Sequence, residues 1–340
     1  MRGKGIAYDT GFVRGGKISR TRFDLDEVKR ELTIIRDDLH CNALHVIGGD
    51  PERLELASRL AAELGLEVWF SPYPLELTAD EVLSLFVDCA ERAERLRKGG
   101  AEVVFVTGVE LSLMARGFLP GGTVAERLGL LLGSPDQRER LVEVAKRLND
   151  FFAKAVAAVR ERFHGKVTYA SIPFERIDWS LFDIISIELI RSAEVADQFA
   201  DAVRRLVAGG KPVAITGFGS TAWRGAGDVA PRAMDIVEYD KESGVPLRLS
   251  GDYVRDEAGQ AAYLREVLDI FDTGGVDSAF VYLFELENFP HRPDGSPRDD
   301  LDMASPGIVA PLEHSRGRTY PEMRWEPKLA FHAVAECYGK

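Results

Sequence analysis

Ala43-Leu-His-Val-Ile47, Gly48-Gly-Asp50-Pro51, Gly65 and Leu66-Glu-Val-Trp-Phe-Ser71 mark out one complete structural unit. Each apolar, partly β-branched run reads as a buried strand. Asp50 ahead of Pro51 has the chemistry of a helix start: a side-chain oxygen for orphaned N–H groups and a proline at the first helical position. Gly65, just before the next run, closes that helix. Strands separated by a helix must pair in parallel, so the stretch is a βα unit.

The same order recurs along all 340 residues. Eight runs read as strands: Gly5–Asp9, Ala43–Ile47, Leu66–Ser71, Val103–Thr107, Lys166–Ser171, Ile184–Glu188, Pro212–Thr216 and Ser278–Phe284. Helix starts are predicted at Asp24 with Glu27, at Thr78 with Glu81, and at Ser134-Pro135 with Gln137. The last opens an amphipathic helix with Leu141, Val144, Leu148, Phe151 or Phe152, Ala155, Val159 and Phe163 on one face. Glycines close units at Gly99-Gly100, Gly165, Gly209-Gly210 and Gly274-Gly275. Eight such units predict a single α/β domain over residues 1–340, a (β/α)8 TIM barrel. An open doubly wound sheet is the competing architecture, but no G-x-G-x-x-G follows the first strand and Gly15-Gly16 sits in a short basic loop. The segments after strands four, seven and eight, Leu111–Ser134, Phe218–Asp256 and Glu285–Pro321, lack sustained periodicity and read as long loops over the barrel mouth.

Composition narrows the function. Apolar residues at 45% and charged residues at 29% describe a folded chain, and 43 Lys and Arg against 55 Asp and Glu give a net charge of −12. That charge weighs against nucleic acid as a partner. No apolar run reaches the ~18–20 residues of a membrane span. Met1-Arg-Gly-Lys-Gly runs directly into a strand without the apolar stretch of a secretory signal, so a cytoplasmic protein is expected. Cys41, Cys89 and Cys337 are far apart and read as buried small hydrophobes. No motif implies a cofactor, and none sets an oligomeric state; the expected partner is a small-molecule substrate.

In a barrel of this kind the site is built where the strands end. Residues at those ends are Tyr8, Asp9, His45, Trp69, Tyr73, Glu110, Glu175, Glu188, Arg191, Trp223, Arg224, Glu285 and Glu287, with His291 in the last loop. Carboxylates serve acid/base work on hydroxyls and glycosidic oxygens, and flat rings pack on the C–H faces of sugars. A sugar-like or cyclic organic substrate fits this set, with Glu110 as general acid and Glu285 or Glu188 as its catalytic partner. The bland readings are salt bridges from Glu110 to Arg116 and from Glu188 to Arg191, and solvent exposure for Glu285. His291, Asp294, Asp299, Asp300, Asp302 and His314 are metal ligands by type, but their irregular spacing favours a solvated loop, and no metal site is assigned.

Several stretches resemble actinobacterial proteins labelled abortive infection proteins, which themselves resemble retaining (β/α)8 glycoside hydrolases. They are Arg2-Gly-Lys-Gly-Ile-Ala-Tyr-Asp-Thr-Gly11, Gly48-Gly-Asp-Pro-Glu-Arg53, Glu67-Val-Trp-Phe-Ser-Pro72, Glu110-Leu-Ser-Leu with Gly117-Phe-Leu-Pro-Gly121, Asp300-Leu-Asp-Met-Ala-Ser305 and Trp325-Glu-Pro-Lys328. The resemblance implies an acid/base after strand four, matched by Glu110, and a nucleophile at the end of strand seven, about 5–5.5 Å away. There the chain reads Thr216-Gly217-Phe218-Gly219. Val109 also stands where an Asn commonly precedes the acid/base. Three readings are open: removal of the nucleophile by design, a second geometry using Glu285 or Glu188, or diversion to cyclisation, dehydration or isomerisation of a natural product. A silent binding protein that keeps the hydrolase shell is the remaining alternative.

Overall fold

The computed structural model describes residues 1–132, 137–240 and 244–340. All eight predicted strands form: β1 (Gly3–Asp9), β2 (Ala43–Gly48), β3 (Glu67–Pro72), β4 (Val103–Val109), β5 (Lys166–Ser171), β6 (Ile185–Glu188), β7 (Val213–Phe218) and β8 (Ser278–Val281). Each pairs in parallel with its sequence neighbours, and β1 pairs with both β2 and β8, closing the barrel. The doubly wound alternative is excluded by that closure.

Side chains alternate across each strand, which divides the core in two. Ile6, Tyr8, Leu44, Val46, Phe70, Phe105 and Tyr169 face the helices, whereas Ala7, Trp69, Val104, Ala214 and Phe280 fill the interior. Trp69 and Phe280 meet with ring centroids 4.7 Å apart. The Trp69 indole N–H donates to Glu67 Oε1 at 2.7 Å, and Arg2 joins Glu67 to Asp277 beneath it. The barrel is thus plugged at its N-terminal end.

The helices are α1 (Leu25–Asp37), α2 (Pro51–Glu63), α3 (Ala79–Lys98), α4 (Leu111–Met114), α5 (Val124–Leu132), α6 (Gln137–Arg160), α7 (Ala196–Val207), α8 (Glu257–Thr273) and α9 (Leu329–Tyr338). Asp24 and Asp50 accept from the backbone N–H groups of their first turns, and Thr78 with Glu81 forms a reciprocal capping box. The cap predicted at Ser134-Pro135 lies outside the described residues. One βα unit departs from the pattern: between β5 and β6 there is only a 3-10 turn, Trp179–Leu181. Its segment is short and opens Ile172-Pro173, leaving no room for an amphipathic run.

The long segments also hold more structure than loops. The one after β4 carries α4 and α5. The one after β7 contains an antiparallel pair, Val237–Tyr239 with Pro246–Leu249, and the one after β8 pairs Val309–Pro311 with Trp325–Pro327. Among the described residues no helix is long and apolar enough to cross a membrane.

Candidate active site

The upper ends of β4, β6 and β7 are irregular, and that irregularity aims their side chains. Pairing between β4 and β5 shifts register between Val106 and Val109, and pairing between β6 and β7 shifts between Ile187 and Glu188. A bulge of this kind turns the following side chain away from strict alternation. Gly108 (φ +84°) and Glu110 (φ +46°) both take left-handed backbone, and Glu110 begins α4. Its backbone N–H donates to Ala170 O at 2.9 Å, so the turn remains attached to β5.

Beneath this turn lies Glu175, wholly buried. It accepts from the Ser112 N–H (3.1 Å) and hydroxyl (2.7 Å), from the Tyr169 hydroxyl (2.8 Å), from the Ser171 hydroxyl (3.0 Å) and from the Ile172 N–H (3.1 Å). The Tyr169 oxygen accepts in turn from the Leu111 N–H at 2.7 Å. With its lone pairs committed to these donors, Glu175 supports the turn that carries Glu110.

Glu110 and Glu188 open into one cavity of about 270 Å³ at the barrel mouth, which His45, Tyr73, Thr216, Ser220, Thr221 and Tyr282 also line. Burial first, and then the nearby charges of Glu188 and Glu175, push the Glu110 carboxyl up to about 8. Burial and Glu175 push Glu188 up to about 7, partly opposed by the Thr216 hydroxyl, which is close but outside hydrogen-bonding geometry. Neither of the two expected salt bridges is realised: Arg116 pairs with Glu76 and Arg191 with Glu266.

His45 reaches across the interior from β2, and its Nδ1 lies 3.1 Å from Thr216 O. A carbonyl only accepts, so Nδ1 carries the proton and Nε2 is left with a lone pair. Burial lowers the imidazole to about 4, keeping it neutral near pH 7. His45 Nε2, Thr216 Oγ1, Ser220 Oγ and Thr221 Oγ1 are buried with no hydrogen-bond partner. Buried polar groups are nearly always paired, so four orphans lining one cavity mark where a hydroxylated ligand or water belongs. No Lys or Arg is among the described residues lining the cavity.

The other predicted residues are placed elsewhere. Tyr8 faces α1, donating to Glu31 at 2.5 Å beneath the Arg20 guanidinium. Glu285 belongs to the same cluster, where burial and Glu31 raise its carboxyl and Arg20 opposes them; it does not line the cavity with Glu110. Glu287 accepts from the Thr21 hydroxyl at 3.0 Å and lies 3.7 Å from Arg20. Asp9 is buried at the rim, accepts from the Gly11 N–H at 2.6 Å and is pushed up to about 7 by burial. Trp69 belongs to the plug. Trp223 donates to Ala233 O at 2.9 Å, and Arg224 is exposed. His291, Asp300 and Asp302 converge on Arg255, with Lys328 on the far side of Asp302. This ion cluster fastens the last loop to the start of α9, and no group of three metal-ligating side chains occurs among the described residues.

Sequence reasoning missed Tyr282, Thr216, Ser220 and Thr221. Tyr282 was hidden within an apolar run, and the hydroxyl residues after β7 have no diagnostic spacing.

The closed parallel barrel has a fold that glycoside hydrolase TIM barrels share. Comparison with solved structures supports that fold. A GH113 β-1,4-mannanase complex superposes with a TM-score of 0.63 at 14% identity, covering 100% of both chains. The GH113 β-mannanase AaManA from Alicyclobacillus acidocaldarius gives 0.58 at 14% identity, covering 99% of this chain and 97% of its own. A Parabacteroides merdae β-glucuronidase gives 0.61 at 11% identity, covering all of this chain and 38% of its own. No sequence family and no curated protein matches the chain.

Proposed function

We propose that the barrel performs general acid/base chemistry on a small, neutral, hydroxyl-bearing ligand of the sugar type, with Glu110 as acid and Glu188 as its partner. One observation carries this reading: two carboxyls with raised proton affinity share a cavity with three unpartnered hydroxyls, a neutral imidazole and the phenols of Tyr73 and Tyr282. The absence of guanidinium or ammonium groups among the described lining residues disfavours phosphorylated or uronate ligands, which need a cation or several convergent N–H groups. The volume is near the lower end of the ~300–1,000 Å³ usual for ligand sites, which suits one ring. The likeness to mannanases and glucuronidases supports the class of chemistry. The resemblance to abortive infection proteins supplies no activity, and none is carried over from it.

The test is turnover of a panel of neutral aryl glycosides and the matching aryl glucuronides, with and without azide. We expect neutral substrates to be consumed in preference to glucuronides, and Glu110→Gln to reduce turnover of substrates with poor leaving groups by ~10²–10⁴-fold. Turnover unchanged by Glu110→Gln, or silence across the panel in both conditions, overturns the sugar reading. Val109, Met114, Ile190 and Met234 add apolar surface to the cavity lining, which favours a second reading, proton transfer on a cyclic natural-product scaffold. Silence toward glycosides together with binding of such scaffolds would support it.

A further inference from the structure

Gly217, the penultimate residue of β7, stands beside Glu188 in register, at the point where β6 shifts. A Cβ at 217 would lie 1.6 Å from Glu188 Oε2 and 2.6 Å from its Cδ. The backbone at 217 is not left-handed, so its conformation does not by itself require glycine. The Glu188 carboxylate fills the space that any side chain on Gly217 would occupy.

We infer that Gly217 is a positioning residue, and that Gly217 and Glu188 are one device by which the barrel places at the head of β7 a carboxylate rooted on β6. This rests on the acid/base reading above. Three features of the structure support it independently of any substrate. The shift between Ile187 and Glu188 turns the side chain toward β7. The Leu189 N–H donates to Gly217 O at 3.0 Å, fixing the two strand ends together immediately beyond the carboxylate. Glu188 and Gly217 both line the cavity that Glu110 opens into. The three nearest atoms to such a Cβ all belong to Glu188.

Two consequences follow. A methyl at 217 forces the flexible end of Glu188 out of its place while leaving the backbone intact, so Gly217→Ala behaves as a loss of Glu188. A carboxylate returned on β7 compensates for one removed from β6, so Glu188→Ala/Gly217→Glu outperforms Glu188→Ala alone.

The experiment reads both structure and activity. Carboxyl titration of ¹³C-labelled glutamate by NMR, assigned by comparison with Glu188→Gln, follows Glu188 in the parent and in Gly217→Ala. Turnover on the best glycoside of the panel is measured for Gly217→Ala, Glu188→Ala and the exchange variant. We expect the Glu188 titration to move toward the ordinary carboxylate range in Gly217→Ala, with turnover falling to the level of Glu188→Ala. The exchange variant should recover at least roughly tenfold of the ~10²–10⁴ that an acid/base group supplies. An unshifted Glu188 titration in Gly217→Ala overturns the inference, as does parental turnover in that variant. An exchange variant that is folded by circular dichroism but no better than Glu188→Ala also overturns it. If the parent consumes no glycoside, the acid/base reading and the role built on it fall together, and the titration alone decides whether the two residues exclude one another.

Discussion

Glu110 and Glu188 are set apart by burial in a shared cavity, which raises the proton affinity of both carboxyls. Activity requiring a protonated Glu110 and an ionised Glu188 should rise as pH passes about 7 and fall as it passes about 8. The expected pH–rate profile is a narrow bell, and the two apparent values belong to the interacting pair. The same shifts bear on stability. Both folded values are raised above the ordinary carboxylate value, so the native state binds more protons than the unfolded chain between about pH 4.5 and 8. Stability from these groups is therefore full below the unfolded value and declines as pH rises through the window. Replacing either residue by Gln should stabilise the fold at pH 8 and do little at pH 4. Allowing for solvent in the cavity, the gain is on the order of 1–2 kcal/mol for each, measured by thermal or denaturant unfolding. His45 has the opposite sign: its lowered value costs stability only as pH falls below about 6.5 toward 4.

At the level of elements, the turn after β4 depends on Glu175. Glu175→Gln keeps the shape but sets an NH₂ group against donors that need an acceptor, at a cost of roughly 2–3 kcal/mol. It also removes a negative charge that raises Glu110. The expected result is a lower midpoint of unfolding together with an alkaline limb of the pH–rate profile displaced to lower pH. A residue that merely supported the turn would change the first and leave the second unmoved. Alternation along the strands explains which candidates could be read from sequence. His45 stands between Leu44 and Val46, both turned to the helices, so its inward direction was legible. Tyr8 and Asp9 are adjacent and cannot share a face, and only the pairing of β1 with β2 decides between them. Trp69 faces inward as its position implies, but its depth depends on the tilt of β3 in the closed sheet, which a linear pattern does not carry. Glu188 depends on a one-residue shift between strands that leaves no mark in composition.

The barrel itself was legible because strand runs, helix caps and closing glycines agree, and each is local. The mouth was not, because its segments are held by contacts distant in sequence. Arg255, Asp300, Asp302 and Lys328 illustrate this: Asp302 and Lys328 are 0% and 1% exposed and meet at 3.0 Å, with Arg255 on the other side of Asp302 at 2.9 Å. Removing Lys328 leaves Arg255 to balance both Asp300 and Asp302, with the Lys328 side of the buried Asp302 carboxylate unpaired. Lys328→Met should therefore lower stability by about 3 kcal/mol, read by denaturant unfolding, and loosen the last loop over the cavity.

The plug made by Trp69 and Phe280, with Arg2 locked to Glu67 and Asp277 below, makes the barrel a dead end. Whatever reaches Glu110 must retreat by the way it came. Arrival and departure then compete for one aperture, so a lingering product excludes the next substrate. Excess product should act as a competitive inhibitor, raising KM and leaving kcat untouched.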